Sequence, residues 1–230
     1  MIEFRKVVLQ YHYDEYPLLK GASFTLCDGL NSVLADTQSG KSSICKLLCK
    51  QVKATSGEII VDGLQIDSIT DPCLGILYLP NTPTFFENRS ALANIEYPLK
   101  VRKVGKAERR KRAEQIAAEL GLDCLDVKVK KLSADKRKLV ALARGLTVER
   151  KTVLFDDFFE VDDEQKSLAY VNSVTKLFNG ATCVILTSDK RLAMGNTVVL
   201  DGGVAVYTGD ADGAQSVIDG LQWLNSSLKE

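Results

Sequence analysis

The chain has 230 residues, 45% of them hydrophobic, which is enough for one sizeable core. Lys plus Arg and Asp plus Glu each total 30, so no global field draws the protein to nucleic acid or to an anionic surface. Charges interrupt Met1–Leu26 early and no apolar run approaches the roughly 20 residues of a membrane helix, so the expectation is a cytoplasmic chain without a signal peptide.

Val7–Tyr11, Ala22–Leu26 and Leu30–Leu34 read as strands, followed by Gly57–Val61, which ends at the turn Asp62-Gly63. The spacing of Ile44, Leu47, Leu48 and Val52 predicts a helix directly after Lys41. From Ala91 to about Leu122 the pattern is helical. Within it Arg109, Arg110, Lys111 and Arg112 read as a solvated helix face. Val153–Phe155 and Thr182–Thr187 are short buried strands, separated by enough chain for a crossover helix, and so predict βαβ units of a parallel sheet. Val199–Tyr207 reads as a hairpin, and Val217, Ile218, Leu221 and Leu224 as the apolar face of a C-terminal helix. Cys27, Cys45, Cys49, Cys73, Cys124 and Cys183 form no CxxC pair, and His12 has no ligand cluster around it. The cysteines are therefore read as reduced thiols, with no structural metal expected.

Two segments carry chemistry. Ala35-Asp36-Thr37-Gln38-Ser39-Gly40-Lys41-Ser42-Ser43 matches the phosphate-loop pattern GxxxxGK(S/T), with alanine at the first glycine. A strand, a loop and a helix in that order aim backbone N–H groups and a positive helix end at a phosphate, while Lys41 reaches the outer phosphates. Thr37, Gln38, Ser39, Gly40, Lys41, Ser42 and Ser43 are thus candidate nucleotide contacts, and Ser42 a candidate Mg²⁺ ligand. Gly40 is expected to let the backbone approach the phosphate oxygens, and Ala35 fits if its φ stays below zero. Further on, Thr152–Phe155 runs into Asp156-Asp157, an acidic pair at the strand end where open α/β sheets bind ligands. Asp156 would hold Mg²⁺ and Asp157 would lie nearest an attacking water. Each motif alone also reads as a polar or acidic turn; their partnership favours the functional reading.

In order and spacing, these motifs resemble the ABC ATPases over essentially the whole chain, most closely the ATPase subunits of bacterial solute importers. The resemblance implies an α/β P-loop NTPase fold of ABC type. It would comprise a mixed sheet core, a β-rich N-terminal subdomain and a helical subdomain at about 91–148, all within one domain spanning 1–230. Phe4–Tyr11 is similar to the family's opening strand, which makes Tyr11 the ring that stacks on adenine, with Tyr13 and Tyr16 as rivals. Asn81, in Leu77-Tyr78-Leu79-Pro80-Asn81, takes the family's glutamine position beside the metal and the attacking water, with the usual spacing onward to Asn94-Ile95. Tyr97–Leu122 resembles the helical segment that docks importer ATPases on a membrane subunit. Leu132-Ser133-Ala134-Asp135-Lys136 stands at the LSGGQ signature, leaving Ser133 as a donor to the γ-phosphate held by a second domain. Glu160–Asp163 falls at the D-loop, and Ser188, in Thr187-Ser188-Asp189, at the switch histidine.

Departures from the family pattern fall at Ala35, Asn81, Ala134-Asp135-Lys136, Asp157 and Ser188. Asp157 draws its carboxylate back by a methylene, where about 1 Å of misplacement can lose about 100-fold in rate. Ser188 cannot become a cation, and Asp135 sets a carboxylate beside a triphosphate, a repulsion that Lys136 would partly offset. Lys41, Ser42 and Asp156 are retained. The expectation is a chain that binds ATP and Mg²⁺ with impaired hydrolysis. It would pair with a second ABC ATPase domain, as homodimer or heterodimer, and join a separate transmembrane subunit on the inner face of the cell membrane; nucleic acid is not expected. Alternatives are a soluble regulatory or scaffold protein of the same fold, an ABC protein of DNA repair or translation, and a small-molecule kinase.

Overall fold

Period-two burial builds the first sheet. Strand β1 (Ile2–Leu9) turns Ile2, Phe4, Val7 and Leu9 inward, and β2 (Leu19–Leu26) does the same with Leu19, Ala22, Phe24 and Leu26. The computed structural model describes residues 1–36, 39–69, 75–159 and 164–221, the side chains of 164–167 excepted. The chain divides into two units, residues 1–78 with 151–230, and residues 79–150.

In the first unit β1 pairs antiparallel with β2 and with β4 (Ser56–Val61), and β5 (Leu64–Gln65) completes the order β2-β1-β4-β5. Strand β1 therefore starts earlier than Val7 and ends before Tyr11. The register shifts between Phe4 and Val7, where Lys6 has φ 48°, and this bulge breaks the alternation that the sequence pattern relies on. Gly57 sits opposite at φ 84°, where a Cβ would collide with the carbonyl oxygen of Lys6.

The second sheet has the order β10-β9-β3-β8-β7-β6. Its strands are β3 (Leu30–Ala35), β6 (Ile76–Pro80), β7 (Thr152–Asp156), β8 (Thr182–Thr187), β9 (Asn196–Asp201) and β10 (Val204–Asp210). Strands β3, β7, β8 and β9 pair in parallel, whereas β9 and β10 form the antiparallel hairpin expected from the sequence, so the sheet is mixed. Every residue of β7 and β8 is buried, the signature of parallel strands covered on both faces.

Among the described residues of this unit are helices α1 (Lys41–Leu48), α6 (Glu164–Leu177) and α7 (Ala211–Gly220). Helix α1 stops before Val52, because Lys50 turns left-handed at φ 54° and the Gln51 N–H caps back onto the Lys46 carbonyl at 2.8 Å. Val52 packs on the core from the loop instead. Of the C-terminal apolar set, Ile218 is buried and Leu221 packs beside it, while Leu224 lies outside the described residues.

The second unit contains α2 (Ala91–Ile95), α3 (Tyr97–Val101), α4 (Lys106–Glu119) and α5 (Ala134–Leu146). Glu96, Pro98 and Gly105 divide the long helical stretch into these pieces. Its core joins Leu92, Ile95 and Val140 with Ala91, Ala113 and Ala143, alanines small enough to permit close helix approach. Asn94 is fully buried, accepting from the Phe86 N–H at 2.9 Å and donating to the Ser90 carbonyl at 2.9 Å. The basic run on α4 is a solvated face only in part. Arg110 and Arg112 pair with Glu114 and Glu108 in solvent, but Arg109 turns inward to Glu96 at 3.3 Å because the short α3 brings that carboxylate within reach.

Candidate functional site

The chain enters the phosphate loop from β3. Ala35 is fully buried there, pairs with Leu200 of β9 and has no positive φ, so an alanine fits this extended backbone. Gly40 caps α1 at φ 97°, where a Cβ would press on Leu19 Cδ2 at 3.1 Å. Glycine is thus required by the local backbone as well as by any phosphate approach. The helical ladder starts with the Ile44 N–H on the Gly40 carbonyl at 2.9 Å, which leaves the N–H groups of Lys41, Ser42 and Ser43 in the open first turn. The Ser39 N–H is spent on the Asp36 carbonyl at 3.1 Å. Ser42 is exposed, Ser43 is buried, and Thr37 and Gln38 lie outside the described residues.

Lys41 is 6% exposed, and its ammonium donates to the carbonyls of Ala35 and Asp36 at 3.0 and 3.1 Å. It also lies 3.9 Å from Asp157 Oδ2 at the end of β7. The two sequence motifs therefore meet. Asp156 is 5% exposed, and its two oxygens differ: Oδ2 accepts from the Tyr78 hydroxyl at 2.7 Å, while Oδ1 is buried with no hydrogen-bond partner among the described residues. A buried carboxylate oxygen with no donor suits a hard, oxygen-seeking cation, so the residues fit Mg²⁺. Burial, followed by the hydrogen bond to Asp156, pushes the Tyr78 phenol well above its ordinary range, keeping it a donor. Burial likewise raises the Cys45 thiol on α1, with the Asp156 charge adding to it.

Asp157 occupies a left-handed backbone at φ 47°, and its N–H donates to the Leu186 carbonyl at 2.9 Å. Aspartate is among the few residues that tolerate this conformation. Phe158 and Phe159 are buried behind it, with Phe155 and Phe159 ring centroids 4.8 Å apart, so aromatic packing anchors the turn that the backbone must make.

Among the three candidate tyrosines, Tyr11 is the one tied to the loop. Its hydroxyl shares a 2.9 Å hydrogen bond with Ser43 Oγ, and Lys46 Nζ lies 5.9 Å from its ring centroid. Tyr13 and Tyr16 are 95% and 69% exposed. Ser188 is half-buried just past β8, where the Asp189 N–H donates to Thr187 Oγ1 at 3.0 Å. Asn81 and Ser133 belong to the second unit. Asn81 is exposed beyond β6. Ser133 caps α5 by accepting from the Lys136 N–H at 3.4 Å, and Lys136 Nζ goes to Asp123 at 2.8 Å. The D-loop positions 160–163 lie outside the described residues. Tyr78 was missed by sequence reasoning, because only the adjacency of β6 and β7 joins it to Asp156.

A lysine-bearing glycine loop between strand and helix, beside an acidic strand end in a mainly parallel sheet, defines a P-loop nucleotide-binding fold. The family described as ABC transporter matches residues 19–160, and the chain belongs to that family. It is 29% identical over 199 residues to an sn-glycerol-3-phosphate import ATP-binding protein, UgpC 1, of Rhizobium johnstonii, covering 84% of this chain and 54% of that protein. A second protein of that description, UgpC 2 of Agrobacterium fabrum, is 31% identical over 186 residues, covering 79% and 50% respectively. The chain spans about half the length of these relatives. The fold matches a dimeric ATP-binding cassette solved in a post-hydrolysis state with ADP and Pi, at a TM-score of 0.78 and 23% identity over 92% of this chain and 99% of that one.

Proposed function

We propose that the chain is the ATP-binding subunit of an ABC transporter-like assembly, one that binds ATP with Mg²⁺ and hydrolyses it weakly. The single observation that carries this reading is the convergence of Lys41 and the Asp156-Asp157 strand end at the open first turn of α1. The ammonium is already out of bulk water, so exchanging two carbonyls for phosphate oxygens gains charge-assisted bonds without a fresh desolvation cost. The first-turn N–H groups of Lys41, Ser42 and Ser43 supply the remaining donors. Tyr11, held to Ser43, offers its ring to the base from the same turn.

Asp156 and Ser42 would hold Mg²⁺. When bound, the ion neutralises phosphate charge. Hydrolysis is the weak step in this reading. Asp157 directs its carboxylate toward Lys41, and Ser188 supplies a hydroxyl where an imidazole would reach farther. Ser133 would serve the γ-phosphate of a second ABC ATPase domain, in a homodimer or heterodimer. A separate transmembrane subunit would hold the pair on the inner face of the membrane.

The test is ATP binding with and without Mg²⁺, together with phosphate release on the same preparation. Lys41→Ala should weaken ATP binding by about 10- to 100-fold, the scale of lost hydrogen bonds to a charged group. Binding unchanged by that substitution would refute the site. Turnover near about 10 per second, a common enzyme value, would refute impaired hydrolysis.

A further inference from the structure

The asymmetry of the Asp156 carboxylate has a definite source. Tyr78 stands on β6 and Asp156 on the neighbouring β7, so the sheet itself sets the approach of hydroxyl to carboxylate. The Tyr78 ring packs against the core of the first unit, which prevents it from swinging away as a surface tyrosine would. The resulting 2.7 Å bond engages Oδ2 alone, and Oδ1 stays buried with no donor among the described residues. Rotating the carboxylate by half a turn would exchange the two oxygens but leave the same arrangement, with one bonded and one bare. The hydroxyl occupies one lone pair of Oδ2 and draws charge from it, so Oδ2 is a poorer second ligand than the bare Oδ1.

We propose that Tyr78 is a positioning residue that makes Asp156 a one-oxygen ligand and thereby favours Mg²⁺ over larger cations. Mg²⁺ requires near-octahedral geometry at about 2.0–2.1 Å, whereas Ca²⁺ accepts two-oxygen carboxylate ligation at about 2.3–2.6 Å. A carboxylate with one oxygen tied down serves the first ion better than the second. Hydrogen-bond partners of ligating groups commonly account for about 10- to 100-fold in metal affinity. Nothing in the phosphate loop signals this role for Tyr78. The inference rests on the reading of the site as an ATP and Mg²⁺ site.

The experiment measures the dissociation constant of ATP for the full chain in EDTA, in saturating Mg²⁺ and in saturating Ca²⁺. It compares the parent protein with Tyr78→Phe and Asp156→Asn. In Tyr78→Phe the tightening of ATP by Mg²⁺ should shrink by about tenfold. The tightening by Ca²⁺ should change by less than about threefold, and ATP affinity in EDTA by less than about twofold, the EDTA value also reporting that the loop is folded. Asp156→Asn should lose both metal effects together. Equal loss of both in Tyr78→Phe, a parallel loss in EDTA, or Mg²⁺ tightening within about threefold of the parent would each overturn the role of Tyr78. If the parent protein binds no ATP under any condition, the ATP-site reading falls and this inference with it. If the parent shows the Mg²⁺ effect and Tyr78→Phe keeps it, only the inference fails.

Discussion

Helices α1 and α5 begin in opposite ways, although the motif resemblance leads one to expect a phosphate contact at both. Helix α1 opens at Gly40 in a left-handed conformation, with no side-chain cap and no acidic residue in its first turn. Helix α5 opens at Ser133, whose own Oγ accepts the Lys136 N–H, and carries Asp135 in its first turn. The positive end of α1 is left open, whereas α5 satisfies its end with its own serine and a carboxylate. Keeping a motif's place in the chain is therefore not the same as keeping its receptor chemistry. The start of α5 has the makeup of a well-capped helix, and that of α1 the makeup the proposed anion site needs.

Three substitutions break or sharpen this contrast. Gly40→Ala should have the largest effect, about 2 kcal/mol or more of lost stability by chemical denaturation. A left-handed L-residue costs about 1–2 kcal/mol, and the added methyl presses on Leu19. A loss below about 0.5 kcal/mol would mean that the open turn does not depend on that backbone. Next, Asp157→Glu should raise phosphate release by about tenfold, by returning the carboxylate toward the attacking water. The same change should lower the melting temperature, because Glu suits φ 47° less well than Asp. An unchanged rate would remove Asp157 from the proposed account of weak hydrolysis. Smallest is Ser133→Ala, which should lower stability by about 1 kcal/mol while leaving ATP affinity of the monomeric chain untouched, since Ser133 would serve only a second domain's nucleotide. A fall in that affinity would erase the distinction between the two helix starts.

Much of this was readable before any coordinates. The phosphate loop, the acidic strand end and strand β8 are local patterns, and each lies where its spacing predicted. The errors have local causes as well. Strand β1 was placed too late because the Lys6 bulge interrupts its alternation, and α1 was drawn too long because Val52 is buried by packing from a loop. Arg109 was read with its solvated neighbours, yet a turn of α4 brings it against Glu96.

By itself, the sequence determined which residues can carry charge to a phosphate and which strand delivers carboxylates, because those properties depend on residue type and short-range spacing. Tertiary structure alone decided that Tyr78 meets Asp156, that Tyr11 joins Ser43 and that Lys41 faces Asp157. Those meetings depend on strand order and on backbone turns far apart in the chain, and side-chain patterning along a single strand is blind to its neighbours.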